Sequence, residues 1–226
     1  IIFFSSLAYS QTILNSESLL SSINEKLITQ IKLSADWDSG NKNNFDTFNQ
    51  IAIGINMKKK LWRLIIGHEY ENYEGKIRAN DWSGQLRLNH YVKDKNSIYN
   101  LVQWQNNRIL QMNHRYIFGV GYRHSIYSNE SQYFDLAAGV FHEDEEYPEL
   151  KTNKLRFNVN GFASVKLFKN LFFNLITYFQ INTEDKSDIR LFFESKISFE
   201  QDKFSLSIVT QNRYNSTAYL LNKKND

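Results

Sequence analysis

From residue 26 onward, hydrophobic and polar residues alternate along the chain with a period of two. The segment LRFNVNGFASVKL, residues 155–167, has apolar or small residues at odd positions and mostly polar residues at even positions. Phe162 is the one large exception. Successive side chains of a β-strand point to opposite faces, so this segment is predicted to be a half-buried strand.

The same pattern predicts eleven strands. They cover roughly residues 26–38, 44–57, 61–73, 78–91, 97–107, 112–126, 131–143, 153–167, 171–181, 188–200 and 204–214. Most are longer than the roughly 5–6 residues of a typical soluble strand and reach the ~9–11 that a tilted membrane-spanning strand needs. No long segment of helical period follows residue 26.

The predicted connections alternate between two kinds. The short ones are MKKK, VKDKNS, YSNES, FKN and EQDK, and the more variable ones include DSGNKN, NYEGK, NNRILQ, HEDEEYPELKT and NTEDKSD. An up-and-down meander places alternate connections at opposite ends of the sheet. Outer-membrane barrels have short periplasmic turns and longer external loops, so the pattern predicts a periplasmic N-terminus and short turns at the periplasmic end.

The alternation by itself leaves open which face meets water. A soluble ligand-binding barrel has an apolar interior, whereas a membrane barrel has an apolar exterior. Strand length, strand number and tyrosines near strand ends, such as Tyr70, Tyr116 and Tyr127, favour the membrane barrel. The predicted fold is an all-β, antiparallel up-and-down transmembrane β-barrel of about 12 strands, with 11 present in this chain. A soluble ligand-binding β-barrel stays the alternative.

The two ends of the chain carry separate expectations. Residues 1–10, IIFFSSLAYS, end in a small-x-small pattern and are predicted to be a signal-peptide remnant rather than a short buried strand. Residues 11–25 are predicted to be a periplasmic lead-in, and residues 26–226 a barrel that lacks its closing strand. Bacterial barrels have an even number of strands, so we expect a gap between the first and the last strand here.

The composition limits the classes of function and of partner that the chain can have. The chain has no cysteine, one proline and 15% aromatic residues, with 27 basic and 24 acidic residues. The absence of cysteine excludes disulfides and thiol catalysis. The charges are mixed along the chain, so no nucleic-acid partner is predicted, and no motif predicts a cofactor. The predicted partners are outer-membrane lipid, lipopolysaccharide and the barrel-assembly machinery. No oligomeric state follows from the sequence.

Four segments resemble a known family. They are LSADWDSGNKN (residues 33–43), GVGYRHSI (119–126), FDLAAGVFHEDEEY (134–147) and VTQNRYNSTAYLLNKKND (209–226). The sequence resembles the YdiY-like proteins, described as salt-induced outer-membrane proteins and grouped as a domain of unknown function. The resemblance implies an outer-membrane barrel whose closing strand follows the position of Asp226. It implies no catalytic residue.

The sharpest polar cluster is HEDEEYPE, residues 142–149, placed on a predicted external loop. Carboxylate oxygens suit hard cations such as Ca²⁺, so Glu143, Asp144, Glu145 and Glu146 are weak candidate ligands. The spacing does not match an EF-hand loop. Charge runs are usually solvated, and a solvated acidic loop is the favoured interpretation.

A lipid hydrolase is a second function to weigh. It would need a serine, a histidine and a third orienting residue in contact at the membrane surface. The five histidines, His68, His90, His114, His124 and His142, are spread over five strands, and the possible nucleophiles Ser83 and Ser125 sit in no recognisable motif. No catalytic residue is predicted, and hydrolysis stays an alternative.

The charged residues of the polar face are predicted to line a lumen. They include Arg63, Glu69, Arg87, Arg115, Arg123, Asp135, Arg156, Arg190, Glu194 and Lys196. Barrels of about eight strands are filled by side chains and those of sixteen to eighteen are open. A barrel of intermediate size leaves two interpretations, a mildly anion-favouring pore or a salt-bridged plug. The predicted role is therefore a small pore or an envelope-maintenance protein.

Overall fold

A computed structural model describes residues 26–40, 43–93, 95–129, 132–201 and 204–217. The strands are β1 (Leu27–Asp38), β2 (Asn44–Met57), β3 (Lys60–Tyr73), β4 (Lys76–Lys93), β5 (Asn96–Asn107), β6 (Met112–Ser128), β7 (Tyr133–Glu146), β8 (Lys151–Phe168), β9 (Leu171–Asn182), β10 (Ile189–Gln201) and β11 (Phe204–Asn215). The predicted signal-peptide remnant and lead-in lie outside the described residues.

The predicted strands are confirmed, each with ends within a few residues. The main difference concerns the acidic segment. An external loop over residues 142–152 was expected, but β7 continues to Glu146 and β8 already begins at Lys151. The loop prediction is therefore wrong for residues 142–146 and 151–152, and the connection is confined to residues 147–150.

All eleven strands form one antiparallel sheet in which each strand pairs with its sequence neighbours. Over the described ranges, no ladder joins β1 to β11, so the expected gap between the first and the last strand is confirmed. The described residues contain no helix long and apolar enough to cross a membrane.

The turns at the two ends of the sheet differ less than the sequence indicates. Lys58 and Lys59 alone join β2 to β3, as expected for the short set. In the variable set, however, Glu74 and Gly75 alone join β3 to β4. Their φ angles of 51° and 77° suit the two-residue turn that matches the twist of a hairpin, where glycine carries little steric cost.

The two faces of the sheet have opposite polarity. Phe118 is 52% exposed and Leu136 is 42% exposed, whereas Arg115 and Arg156 are 4% and 1% exposed. The apolar residues of the alternating strands thus face outward and the charged residues are enclosed. This is the arrangement expected of a membrane barrel and the reverse of a lipocalin-like barrel.

The outward apolar face has a defined height, which β6 shows most clearly. Its outward positions between His114 and His124 are exposed aromatic or aliphatic residues: Tyr116, Phe118, Val120 and Tyr122. A strand advances about 3.3 Å per residue, so the distance from His114 to His124 on a strand tilted by ~40° spans about 25 Å. The height equals that of the apolar band of outer-membrane barrels.

The interior contains an apolar cluster at mid-height. It consists of Tyr99, Leu101, Ile117, Ala137, Phe141, Phe162, Ile176, Tyr178 and Phe192. Phe162, the one large residue on the polar side of its strand, is 1% exposed and packs edge-on against Tyr178, with ring centroids 5.8 Å apart. The exception in the sequence pattern is therefore an interior contact.

Glycines in β6 and β7 make room for this cluster. Tyr99 lies opposite Gly121, and Gly121 lies opposite Gly139. A Cβ built at Gly121 would overlap the Tyr99 phenol, and one at Gly119 would overlap the Phe141 ring. Each aromatic ring lies over the backbone of the neighbouring strand, where any side chain would displace it.

Substituting alanine at Gly121 is expected to lower the free energy of unfolding by about 1–3 kcal/mol, because the added methyl group overpacks the site. The matched control is Gly84→Ala, where the nearest atom to the added Cβ is 3.9 Å away. Urea unfolding of both variants compares them. The double variant Tyr99→Ala/Gly121→Ala removes the part of the clash that involves the ring and leaves the approach to the Ala138 carbonyl oxygen, so the loss should become smaller. An effect of Gly121→Ala that is unchanged without the Tyr99 ring would contradict the role of the ring.

Candidate functional site

The interior is divided into three layers, and the first lies at the end of the sheet away from the short turns. There Glu143 and Glu145 point inward from β7 and are 1% and 2% exposed. Arg156 Nε donates to Glu143 Oε1 at 2.9 Å, and Arg190 Nη1 donates to Glu143 Oε2 at 2.7 Å. Arg190 Nη2 donates to Glu145 at 3.0 Å and Arg115 Nε does so at 2.6 Å. We name this set, Arg115, Glu143, Glu145, Arg156 and Arg190, the ion-pair network.

Asp188, in the connection before β10, extends the network. Its Oδ2 accepts from Arg156 Nη2 and from Lys154 Nζ, both at 2.8 Å. Its Oδ1 accepts from the Thr217 hydroxyl at 2.8 Å. Burial alone raises the pKa of Asp188, but the hydrogen bonds from Arg156 and Lys154 outweigh it and hold the pKa below its ordinary value.

The network links β7 to both of its neighbours and also to β10, which is not a neighbour of β7 in the sheet. Glu143 on β7 binds Arg156 on β8 and Arg190 on β10, and Glu145 binds Arg115 on β6. Charged groups out of contact with water are stable only when they are paired and hydrogen-bonded, as these are. The layer therefore fills its end of the interior with mutually satisfied charges.

The acidic residues suggested as metal ligands do not converge. Glu143 and Glu145 face inward, whereas Asp144 and Glu146 face outward. Asp144 and Glu146 each lie 3.7 Å from His114 Nε2, and Lys151 is also near. Alternation along a strand splits neighbouring residues between two faces, so they form no common site. Among the described residues, no group of three or more histidines or carboxylates is placed to hold a metal ion.

The second layer is the apolar cluster, together with arginine side chains that stack on its rings and a hydrogen bond to Tyr99. The guanidinium groups of Arg87, Arg123 and Arg213 lie over the rings of Tyr99, Phe162 and Phe192, at 4.7, 4.5 and 5.2 Å from their centroids. Asn158 Nδ2, on β8, donates to the Tyr99 hydroxyl at 3.3 Å. The contact links β5 to β8 through the interior, so side chains fill this level as well.

The third layer is a cavity of about 1230 Å³ at the short-turn end, which we name the chamber. Its wall includes the inward residues Leu61, Ser97, Arg123 and Asp135 and the turn residue Lys58. Arg123 Nη2 lies 2.7 Å from Asp135 Oδ2 and Arg123 Nε donates to the same oxygen at 2.8 Å, so the two residues form an ion pair within the wall. The chamber lies below the apolar cluster and reaches the level of the short turns.

The charged residues predicted to line a lumen all lie on the inward face. Arg63, Arg87, Arg115, Arg156 and Arg190 are buried, as are Asp135 and Glu194; Arg123 is nearly so, and Glu69 and Lys196 are partly buried. Glu194 accepts from Gln211 Nε2 at 2.5 Å. The structure separates the predicted set by level, because the ion-pair network and the chamber are divided by the apolar cluster.

The histidines and the serines considered for hydrolysis lie on opposite faces. His68 is outward, hydrogen-bonded to Asn80 at 3.0 Å and 4.2 Å from the Trp82 ring. His124 is also outward and lies 2.7 Å from Asn96 Oδ1. Ser83 and Ser125 share the parity of the inward residues Gln85 and Arg123. The strand alternation therefore separates both serines from the histidines nearest to them.

Sequence reasoning missed the residues that close the middle of the interior. Tyr99 and Phe141 were not singled out, and Asp188 was placed in an external connection without a role. A signal was present for Phe162, which breaks the alternation of its strand, and for Gly119 and Gly121, which place two small residues on the inward face of β6. None of these signals indicates which distant side chain fills the space.

Comparison with known families assigns the chain. The model of a protein family of unknown function, DUF481, matches residues 31–226. The chain belongs to the DUF481 family. The match begins within β1 of this DUF481 protein and includes β2 to β11 in full. It supports the predicted grouping as a domain of unknown function, while the narrower YdiY-like assignment stays a prediction.

Two further comparisons add little about the DUF481 chain. A bacterial polysaccharide outer-membrane secretin is similar to it with a TM-score of 0.42 and 8% identity, covering 84% of this chain and 83% of that one. No curated protein matches the sequence.

Proposed function

We propose that the DUF481 chain is a β-barrel of the bacterial outer membrane that spans the bilayer with a closed interior and serves envelope maintenance rather than conduction. The short turns face the periplasm and the N-terminus is periplasmic. The ion-pair network then lies toward the external side. Outer-membrane lipid and lipopolysaccharide surround the apolar face, and the barrel-assembly machinery inserts it.

The outward apolar band supports the membrane location. At its centre, the exposed Val120 lies between Phe118 and Tyr122 on the outward face of its strand, and the exposed Val140 follows Leu136 and Ala138. Such a surface is costly in water and suits hydrocarbon, where hydrogen-bonded strands satisfy the backbone. A polar group unpaired in lipid is expensive, which is why spanning sheets are closed.

The main observation in favour of a closed interior is that two arginines bind Glu143. Both carboxylate oxygens are bound, one by Arg156 on the neighbouring strand β8 and one by Arg190 on β10, which lies beyond β8 and β9. A pore with an aqueous lumen would leave these charges in contact with water, yet Arg156 and Glu143 are both 1% exposed. Of the two roles left open by the sequence, this favours a plug over a pore.

The proposal includes no catalytic role. The outward position of the histidines and the inward position of Ser83 and Ser125 support that choice, because a hydrolase needs these groups in hydrogen-bond contact. Hydrolysis of phospholipid micelles by the purified protein would contradict it.

Conductance measurement tests the closed interior. The intact protein, shown to be inserted by its heat-modifiable mobility, is expected to give no discrete conductance steps in planar bilayers, because two filled layers lie in series along the interior. A general porin in the same bilayers is the positive control. Regular porin-like steps from the DUF481 protein alone would overturn the closed interior while leaving its membrane location intact.

A further inference from the structure

The connections at the two ends of the sheet differ in charge. The short connections, MKKK, VKDKNS, YSNES, FKN and EQDK, contain seven lysines and four carboxylates. The other five, DSGNKN, NYEGK, NNRILQ, HEDEEYPELKT and NTEDKSD, contain five lysines or arginines and ten carboxylates. Three of those ten, Glu143, Glu145 and Asp188, are paired in the interior, and the remaining seven still outnumber the cations. The connections of the short-turn end are therefore basic and those of the opposite end acidic.

The lysines of the basic end point into the surroundings. Those that the structure describes are all exposed, and we name them the lysine rim: Lys58, Lys59, Lys60, Lys93, Lys95 and Lys169. They belong to the turns that join β2 to β3, β4 to β5 and β8 to β9, or to the strand ends beside those turns. Even if every carboxylate of the short connections were paired with a lysine, three lysine charges would remain. The rim thus carries an excess of positive charge.

Each of the three turns also exposes an apolar side chain beside a lysine. These side chains are Met57, Val92 and Phe168, which are 58%, 51% and 73% exposed, and a lysine follows each of them directly in the sequence. Apolar surface of this kind is costly in water and stable at the boundary between headgroups and acyl chains. A lysine at that boundary lays its alkyl chain along apolar surface and keeps its ammonium group in the polar layer. The pairs therefore fit the edge of a bilayer.

The position of the rim favours lipid over a soluble partner. The three turns are separated in the strand order, since β5 to β7 lie between the second turn and the third. A soluble protein would contact one part of this end, whereas lipid surrounds the whole perimeter of a membrane-inserted sheet and meets all three turns. A leaflet that contains anionic lipid attracts basic residues next to it. The charge of the rim and its apolar neighbours therefore indicate the same partner.

We propose that the lysine rim binds the headgroups of anionic phospholipids, such as phosphatidylglycerol, in the leaflet beside the short turns. The inference rests on the proposed membrane location and adds a class of lipid to it. The ammonium groups contact the headgroup phosphates, and Met57, Val92 and Phe168 lie among the adjacent acyl chains. The lipid next to this end of the protein is therefore richer in anionic headgroups than the rest of the bilayer.

Quenching of tryptophan fluorescence by brominated lipid tests the proposal. Trp62 lies on the outward face of β3, two residues after Lys60, which places it about 7 Å along the strand from the rim. A variant of the full-length protein that keeps only this tryptophan, Trp37→Phe/Trp82→Phe/Trp104→Phe, is inserted into phosphatidylcholine vesicles. Brominated phosphatidylglycerol is added in one series and brominated phosphatidylcholine in the other.

The two series give the association constant of phosphatidylglycerol relative to phosphatidylcholine near Trp62. This ratio is expected to be about three to five at low ionic strength, because lysines next to a membrane attract anionic lipid. It is expected to fall toward one in about 0.5 M sodium chloride, since salt screens exposed charges.

A triple variant of the rim in the same single-tryptophan protein identifies the residues responsible. Lys59→Gln/Lys60→Gln/Lys93→Gln changes exposed residues of the two turns nearest to Trp62 and is expected to lower the ratio to nearly one. Lys58 is left unchanged because its φ of 52° makes the backbone there sensitive to substitution.

Two controls come from the opposite end of the sheet. Lys76→Gln/Lys151→Gln/Lys186→Gln removes three exposed lysines there and is expected to leave the ratio near Trp62 unchanged. A second reporter protein keeps Trp82 as its only tryptophan, on β4 nearer the acidic end. Quenching of Trp82 is expected to show no preference for phosphatidylglycerol.

Four results would overturn the proposal. They are equal association of the two lipids near Trp62, a preference that the rim variant leaves unchanged, a preference of the same size near Trp82, and a preference that high salt does not reduce. Failure of the membrane location is distinguishable from all four, because neither brominated lipid would then quench Trp62.

Discussion

Replacing Arg156 with alanine is expected to lower the free energy of unfolding by about 3–5 kcal/mol, because it leaves buried carboxylates without their cation. Arg156 is 1% exposed and binds Glu143 and Asp188 at 2.9 and 2.8 Å. Unfolding by urea in phosphatidylcholine vesicles, followed by the fluorescence of the four tryptophans, measures the change.

The control for Arg156 is Lys151→Ala, at the start of the same strand. Lys151 has a 63% exposed side chain and lies 3.8–4.0 Å from its carboxylates, so its loss should cost at most about 1 kcal/mol. Adding Glu143→Gln to the Arg156 variant should recover part of the loss, since one buried charge is then neutral. Equal effects of Arg156→Ala and Lys151→Ala would show that the ion-pair network does not stabilise the interior.

Placing arginine at Phe118 is expected to destabilise the bilayer-inserted protein by about 2–4 kcal/mol, because Phe118 lies near the middle of the apolar band. Phe118 is 52% exposed and points outward, so the new charge would meet hydrocarbon rather than packed side chains. Reversible folding into phosphatidylcholine vesicles measures the loss.

The matched substitution is His124→Arg, on the same strand and the same face but at the edge of the band. A charge near the interface costs only about 0–1 kcal/mol. A larger loss of folding free energy at Phe118 than at His124 is the result expected if the outward face contacts a membrane. If Phe118→Arg were as well tolerated as His124→Arg, the outward face would be in water, and a soluble barrel would become the better explanation.

The strand order and the two faces were predictable because both follow from local regularities. A period of two persists through β6, where Tyr116, Phe118 and Val120 alternate with Arg115, Ile117 and Gly119. Antiparallel neighbours need only short turns, so sequence order also indicated sheet order. These features require no knowledge of distant residues.

The acidic segment was predicted wrongly because its stability depends on distant residues. Four consecutive acidic residues, Glu143 to Glu146, read as a solvated loop when taken alone. In the structure, Glu143 and Glu145 meet Arg115, Arg156 and Arg190 from three other strands, which makes their burial stable. Nothing local in residues 142–149 identifies those partners.

The sequence likewise did not predict that side chains fill most of the interior. The charges of the polar face were consistent with either an open lumen or a plug. The choice depends on rings such as Tyr99 and Phe141 that extend over Gly121 and Gly119 of a neighbouring strand, and a one-dimensional pattern does not specify such packing. Neither Tyr99 nor Phe141 belongs to the lining of the chamber.

The nearest-neighbour order of the strands places the partners of Glu143 at different distances along the sheet. Arg115 and Arg156 belong to β6 and β8, which flank β7, whereas Arg190 belongs to β10. A partly assembled sheet that contains β7 but not β10 therefore lacks one of the cations of Glu143, and docking of β10 completes the charge balance of this carboxylate.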